Sequence, residues 1–122
     1  MIKGMLHVSF IVADTERALA FYRDVLGLAE NPQRPDLGYP GAWLDCGNQQ
    51  IHLLELPNPD PVNGRPAHGG RDRHAAFAVD NLADLQASLE KAQIGFTLSR
   101  SGRAALFCRD PDANALEFIE CS

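Results

Sequence analysis

Three histidines and one glutamate in this chain occupy positions from which metal chemistry could be done: His7, His52, His74 and Glu117. Neutral imidazoles and a carboxylate are the donors that a borderline divalent ion such as Zn²⁺, Ni²⁺, Mn²⁺ or Fe²⁺ prefers. The three cysteines, Cys46, Cys108 and Cys121, lie far apart and suggest neither a thiolate cluster nor a disulfide framework. His7 and His74 each open a copy of one pattern, H-x-x-F-x-V, written H-V-S-F-I-V in the first half and H-A-A-F-A-V in the second. Strand side chains alternate between faces. His7, Ser9 and Ile11 therefore share one face and Val8, Phe10 and Val12 the other, with the same division at His74 and Phe77. The bulky face would pack on helices, leaving each His on a face where a cleft can form. A second pair of segments, Q-I-H-L-L and A-L-E-F-I, matches in phase and puts His52 and Glu117 on the corresponding face. Glu55 competes for one position. It lies three residues after His52, so a regular strand sends it to the opposite face, and a bulge would reverse that.

The elements needed to hold these residues follow from the same repeat. Residues 15–26 predict a helix capped by Asp14, with Ala18, Phe21, Tyr22 and Val25 as its apolar stripe and Gly27 just past its end. Residues 82–92 predict a second, capped by Asp80 or Asn81, with Leu82, Leu85 and Leu89 inward and Gly95 following. Strands are expected at 41–46 and 50–56, and again at 96–100, 104–108 and 115–120, separated by turn residues. A further strand in the first half, around 31–39, is poorly marked. The expected fold is α+β: two βαβββ modules forming a cupped mixed sheet, with helices on the outer face. Module one covers about 1–57 and module two about 73–122, in a single domain. A ferredoxin-like βαββαβ sheet is disfavoured by the extra strand per half and by the His repeat. The linker, 58–72, is rich in Pro, Gly, Asp and Asn; it is either a solvated connector or a loop that covers a site. His68 within it is expected to face solvent.

Composition narrows the partners. With 122 residues, 45% of them apolar, the chain can bury roughly two thirds of its unfolded surface as one domain. Sixteen acidic against eleven basic side chains give a net charge of −5, and no basic stripe is present, so nucleic acid and anionic membrane are not expected partners. No apolar run is long enough to span a bilayer, nothing at the N-terminus has the order of a signal peptide, and the unpaired cysteines fit a cytoplasmic protein.

Four segments carry a family resemblance: D-T-E-R-A-L-A-F-Y-R-D-V-L-G-L at 14–28, I-H-L-L-E at 51–55, R-H-A-A-F-A-V at 73–79 and D-P-D-A-N-A-L-E-F at 110–118. Together with His7 they resemble the vicinal oxygen chelate (glyoxalase/bleomycin-resistance/dioxygenase) superfamily. The resemblance implies a divalent metal held by one ligand from the first and last strands of each module, here His7, His52, His74 and Glu117. It also implies a homodimer with sites shared between subunits, and a lyase- or isomerase-type reaction on a small substrate that chelates through adjacent oxygens. Glu117 would then be the catalytic base, taking a proton next to a carbonyl. Alternatives within the same superfamily are a dioxygenase, a fosfomycin-type thiol transferase, and a metal-free binder of flat drug-like molecules. Two departures stand out. Ala113 occupies a turn position usually held by Gly, and lactoylglutathione lyases usually carry Gln or Glu where this chain has His52.

Arg100 and Arg103 flank a Ser-Gly turn and are suited to an anionic substrate group, as are Arg71 and Arg73 before His74; solvated loop charges are the plainer reading. Tyr39 and Trp43 could line a pocket wall, with core packing the plainer role for Trp43.

Overall fold

The structure, a computed structural model, describes residues 1–121. Two compact units divide the chain, Met1–Asp60 and Pro61–Ser122. In the first, β1 (His7–Val12) leads through α1 (Thr15–Leu19) to β2 (Ala29–Asn31), β3 (Gly41–Cys46) and β4 (Gln49–Glu55). In the second, β5 (His74–Val79) leads through α2 (Leu82–Lys91) to β6 (Thr97–Leu98), β7 (Ala105–Arg109) and β8 (Ala115–Glu120). Each unit is thus a βαβββ module with its own four-stranded mixed sheet, ordered β1-β4-β3-β2 and β5-β8-β7-β6. The outer pairs β1–β4 and β5–β8 are parallel and the remaining pairs antiparallel. The α+β reading with two βαβββ modules is borne out. Among the described residues no helix is long and apolar enough to cross a membrane.

Alternation decides which face packs. Phe10 and Val12 are buried while His7 and Ser9 are exposed. Phe10 stacks on Tyr22 at 6.0 Å, so the Phe face of β1 is the helix face. Ala18, Leu19, Phe21 and Tyr22 from the first helix close over Leu44, Ile51 and Leu53, all at 4% exposure or less. Each such large side chain contributes about 1.5–3 kcal/mol of hydrophobic stabilisation. In the second unit Leu89, Leu106, Leu116 and Phe118 form the corresponding core.

The helix caps follow the sequence. Asp14 accepts from the Arg17 amide and Asn81 from the Asp84 amide. The first helix departs from expectation after Leu19, where Ala20–Val25 widens into a π-helical turn. The wider turn lets two consecutive aromatics, Phe21 and Tyr22, both face the sheet, edge to face at 4.9 Å. Gly27, at φ +78°, ends the segment as expected. In the second helix that role falls to Gln93, at φ 60°, and not to Gly95.

Two strands are shorter than the pattern suggests. Only Ala29–Asn31 pairs in the first half, because Pro32, Pro35 and Pro40 lack amide donors and the Asn31 and Asp36 side chains capture the Gln33 and Gly38 amides in turns. In the second half only Thr97–Leu98 pairs. The hydroxyls of Ser99 and Ser101 bond to each other and to the amides of Ser101 and Arg103, folding that segment into a turn.

Candidate functional site

Register carries each chosen side chain to the face away from the helices. In the first unit Ser9 pairs with His52, and Trp43 pairs with His52 from the other side. The rings of His7 and His52 stack at 3.9 Å, and Trp43 stacks on the opposite face of His52 at 4.3 Å and 5°. His52 Nε2 lies 2.8 Å from Gln50 Oε1, an acceptor, so Nε2 carries the proton and Nδ1 the lone pair. Burial, the adjacent His7 and then Arg34 push the His52 imidazole below its ordinary range, which keeps it in the neutral form that coordinates metals. Trp43 is half-buried as the outer layer of this stack. Tyr39 is half-buried beneath the Arg34 guanidinium, which lies 5.4 Å from its ring and donates to its carbonyl at 2.8 Å. Arg34 was not among the residues singled out from sequence; its prolines-and-glycine loop gives no periodic signal.

In the second unit Ala76 pairs with Glu117, and Phe107 pairs with Glu117 from the other side. Glu117 is 3% exposed. Its Oε1 lies 3.3 Å from His74 Nε2, and its Oε2 accepts from Arg103 Nη2 at 3.0 Å. Arg103 is thus brought to the carboxylate, while Arg100 is exposed in the preceding turn. His74 Nδ1 lies 2.9 Å from the Asp72 carbonyl oxygen, which can only accept, so Nδ1 holds a proton. His74 Nε2 therefore faces a carboxylate oxygen, which it can meet as a donor when protonated or as a second ligand atom beside a cation. Ligand bonds of about 2.0–2.2 Å at angles of about 90–109° place two donors about 2.8–3.6 Å apart. The 3.3 Å separation fits a divalent ion. Among the described residues no group of three His, Cys, Asp or Glu side chains is placed to hold one. Within the units the candidates come together two by two, His7 with His52 and His74 with Glu117.

Glu55 has other work. Its Oε1 accepts from the Thr15 amide at 2.8 Å and the Thr15 hydroxyl at 3.1 Å, anchoring the first turn of α1. Glu120 does the same in the second unit, accepting from the Leu82 amide at 2.9 Å. Two of the cysteines are poor thiolates: burial raises Cys46, and burial with Asp110 pushes Cys108 up to about 12.

The expectation that His68 faces solvent is overturned. His68 is 8% exposed, its Nδ1 is 2.7 Å from Thr97 Oγ1, and its ring meets Phe107 edge to face at 4.7 Å. Phe107 also meets His74 at 5.2 Å, so both imidazoles border one ring. The linker lies across β7 and β8 as a strap, with a 3₁₀ turn at Gly69–Arg71. A Cβ on Gly70 would stand 2.9 Å from His68 Nε2 and 3.2 Å from Phe107, so only glycine lets the strap lie this close. Asp72 ties it down, bound by Arg65 at 2.8 and 3.0 Å and by Arg109 at 2.8 Å, while Arg109 also donates to the Pro66 and Ala113 carbonyls. A cavity of about 480 Å³ lies beside the strap, lined in part by Gly69, Thr97 and Phe107.

Known proteins share this arrangement of modules. A glyoxalase family protein from Bacillus anthracis matches with a TM-score of 0.81 and 29% identity, over 100% of this chain and 98% of that one. The lactoylglutathione lyase of Haemophilus influenzae is 31% identical over 127 residues, covering 95% of this chain and 91% of the relative. Mouse mitochondrial methylmalonyl-CoA epimerase is 33% identical over 93 residues, 72% of this chain, which spans about half (52%) of that protein's length. The profile of the Glyoxalase/Bleomycin resistance protein/Dioxygenase superfamily matches residues 4–118, nearly the whole of the two modules described above, and the chain belongs to that superfamily.

Proposed function

We propose that this chain is a divalent-metal-dependent, glyoxalase-like enzyme of lyase or isomerase type, acting on a small substrate that presents adjacent oxygens. His7 and His52 from a first unit, with His74 and Glu117 from a second, are its metal ligands. The observation that carries the reading is His74 Nε2 set 3.3 Å from an oxygen of the buried Glu117 carboxylate, a separation that two ligands of one divalent ion can have. The superfamily match supports it, as do the names of relatives, lactoylglutathione lyase and methylmalonyl-CoA epimerase.

A bound ion supplies polarisation of two substrate oxygens and stabilises negative charge on them. Glu117 serves as the base, its carboxylate aimed by β8 and receiving the proton from carbon beside a carbonyl. His52 is held neutral, and the proton fixed on its Nε2 leaves Nδ1 as the donor atom. Trp43 and Tyr39 provide an aromatic wall, and Arg100 and Arg103 meet an anionic group of the substrate. The protein works in the cytoplasm as a homodimer whose sites are shared between subunits, with neither nucleic acid nor membrane as partner.

Elemental analysis after separate loading with zinc, nickel, manganese or iron, and removal of excess, tests the reading. The expected result is about one ion per chain, as a four-ligand site requires. His7→Ala and Glu117→Ala should lose the ion while circular dichroism stays unchanged. Absence of uptake would favour a metal-free small-molecule binder. Sedimentation showing only monomer at micromolar concentration would remove the shared-site arrangement.

A further inference from the structure

Glu117 is unevenly partnered. The carboxylate is almost completely buried, its side chain 4% exposed, whereas the Arg103 side chain that binds it is 57% exposed. A buried anion without a counter-charge is strongly destabilising, so beside a neutral His74 at 3.3 Å Glu117 needs a permanent cation whenever no metal is present. Arg103 supplies one at 3.0 Å. The turn aims it: the Ser101 hydroxyl accepts from both the Arg103 amide and its Nε, and Gly102 takes φ +84°. A mostly solvated guanidinium can leave for water at little cost, and a divalent ion beside Glu117 would repel it.

Resting on the metal site proposed above, we propose that Arg103 is a displaceable counter-ion for Glu117. It holds the carboxylate aimed while the metal is absent, and it is expelled when the metal enters. Arg103 is thus a positioning residue that competes with the ion, beyond any contact with substrate. Once displaced, its five N–H donors are free for an anionic group, so metal loading creates the substrate-facing cation.

The sign of the effect separates this role from a structural one. A residue that merely shapes the site would weaken metal binding when removed; a competitor strengthens it. The probe is Zn²⁺ alone, titrated into chelator-stripped protein against a fluorescent chelator of known affinity. Arg103→Ala should bind Zn²⁺ about tenfold more tightly than the unmodified protein, the strength of one charge-assisted hydrogen bond screened by solvent. Arg103→Gln, which keeps the length and loses the charge, should also bind more tightly and stands in if the Ala variant fails to fold. Arg100→Ala removes the same charge from the neighbouring turn without touching Glu117, and should change affinity by less than about threefold. In the stripped state Arg103→Ala should melt lower than the unmodified protein, and Zn²⁺ should raise its melting temperature by more. Equal or weaker Zn²⁺ binding by both Arg103 variants overturns the competition while leaving the metal site standing. Failure of the unmodified protein to bind zinc, nickel, manganese or iron removes the metal site and this role with it.

Discussion

Asp72 is the knot that keeps the strap, and with it His68, on the sheet of the second unit. Its carboxylate accepts a two-pronged Arg65 bond, an Arg109 bond and the Arg73 amide at 2.8 Å, with its side chain only 9% exposed. The Arg65 fork, followed by Arg109 and the Arg73 amide, holds this carboxyl far below the usual range in spite of burial. Asp72→Asn keeps the shape but removes the charge, and it turns an amide donor toward guanidinium donors. Breaking a buried pair costs about 3–5 kcal/mol. Arg65 and Arg109 retain carbonyl partners at Pro61, Pro66 and Ala113, so the lower end, about 3 kcal/mol, is expected. For a chain of this size that corresponds to a melting temperature lower by about 10 °C. The folded-state pKa lies below the unfolded value, so this stabilisation is complete above about pH 4 and fades as pH falls further. Thermal melts by circular dichroism should show the full gap between unmodified and variant protein at neutral pH and a shrinking gap in acid. Trypsin should also cut the variant faster at the exposed Arg71 and Arg73. Melting within about 2 °C of the unmodified protein at neutral pH, with unchanged cutting, would refute the assignment of the strap's stability to this carboxylate.

Glu55→Ala removes two bonds to Thr15 and should cost about 1–2 kcal/mol in chemical denaturation; Glu120→Ala, which removes one bond at a more exposed site, should cost about half as much. Glu55→Gln should leave divalent-ion content unchanged, and its loss would transfer the His52 position in the site to Glu55. Ala113 sits at φ 68°, so Ala113→Gly relieves a left-handed alanine and should raise stability by about 0.5–1 kcal/mol after the entropy of the added glycine; a lower denaturation midpoint would contradict that.

Residues in strands disclosed their positions because a period of two leaves little choice. Once Phe10 and Phe77 face the helices, His7 and His74 must face away, and the phase of β4 and β8 then places His52 and Glu117. Helix ends were equally readable at Asp14 and Gly27, where one side chain or one backbone angle decides, whereas only the structure chose Asn81 over Asp80. What pattern could not supply lies in segments without a period. Burial of His68 comes from a strap held by Arg65, Asp72 and Arg109, residues distant in sequence and joined only after folding. The clue available was chemical: two adjacent glycines after His68, of which Gly70 permits the close approach. The π-helical turn was hidden for a related reason, since Phe21 and Tyr22 are compatible with an ordinary helical stripe until both must be buried.

The two modules also show where duplication was retained and where it diverged. On the helix side the equivalents match in kind: Phe10 with Phe77, Leu53 with Phe118, and Glu55 with Glu120, each of the latter pair binding the first amide of its helix. On the other side His7 and His74 are kept, while the middle strands differ in type, His52 against Glu117 and Trp43 against Phe107, at the same strand positions. The shared hydrogen-bonded ladder gives no reason for that one exchange of imidazole for carboxylate. A mixed donor set gives one. An imidazole in place of a second carboxylate lowers the negative charge around a divalent ion and leaves a single basic oxygen pair, that of Glu117, to accept a proton. On the proposed metal reading, base chemistry would fall to the second module and imidazole ligation with an aromatic stack to the first. Exchanging the types, with His52→Glu and Glu117→His combined, should preserve the ion by elemental analysis and the fold by circular dichroism; loss of the ion from folded protein would refute the interchangeable donor set.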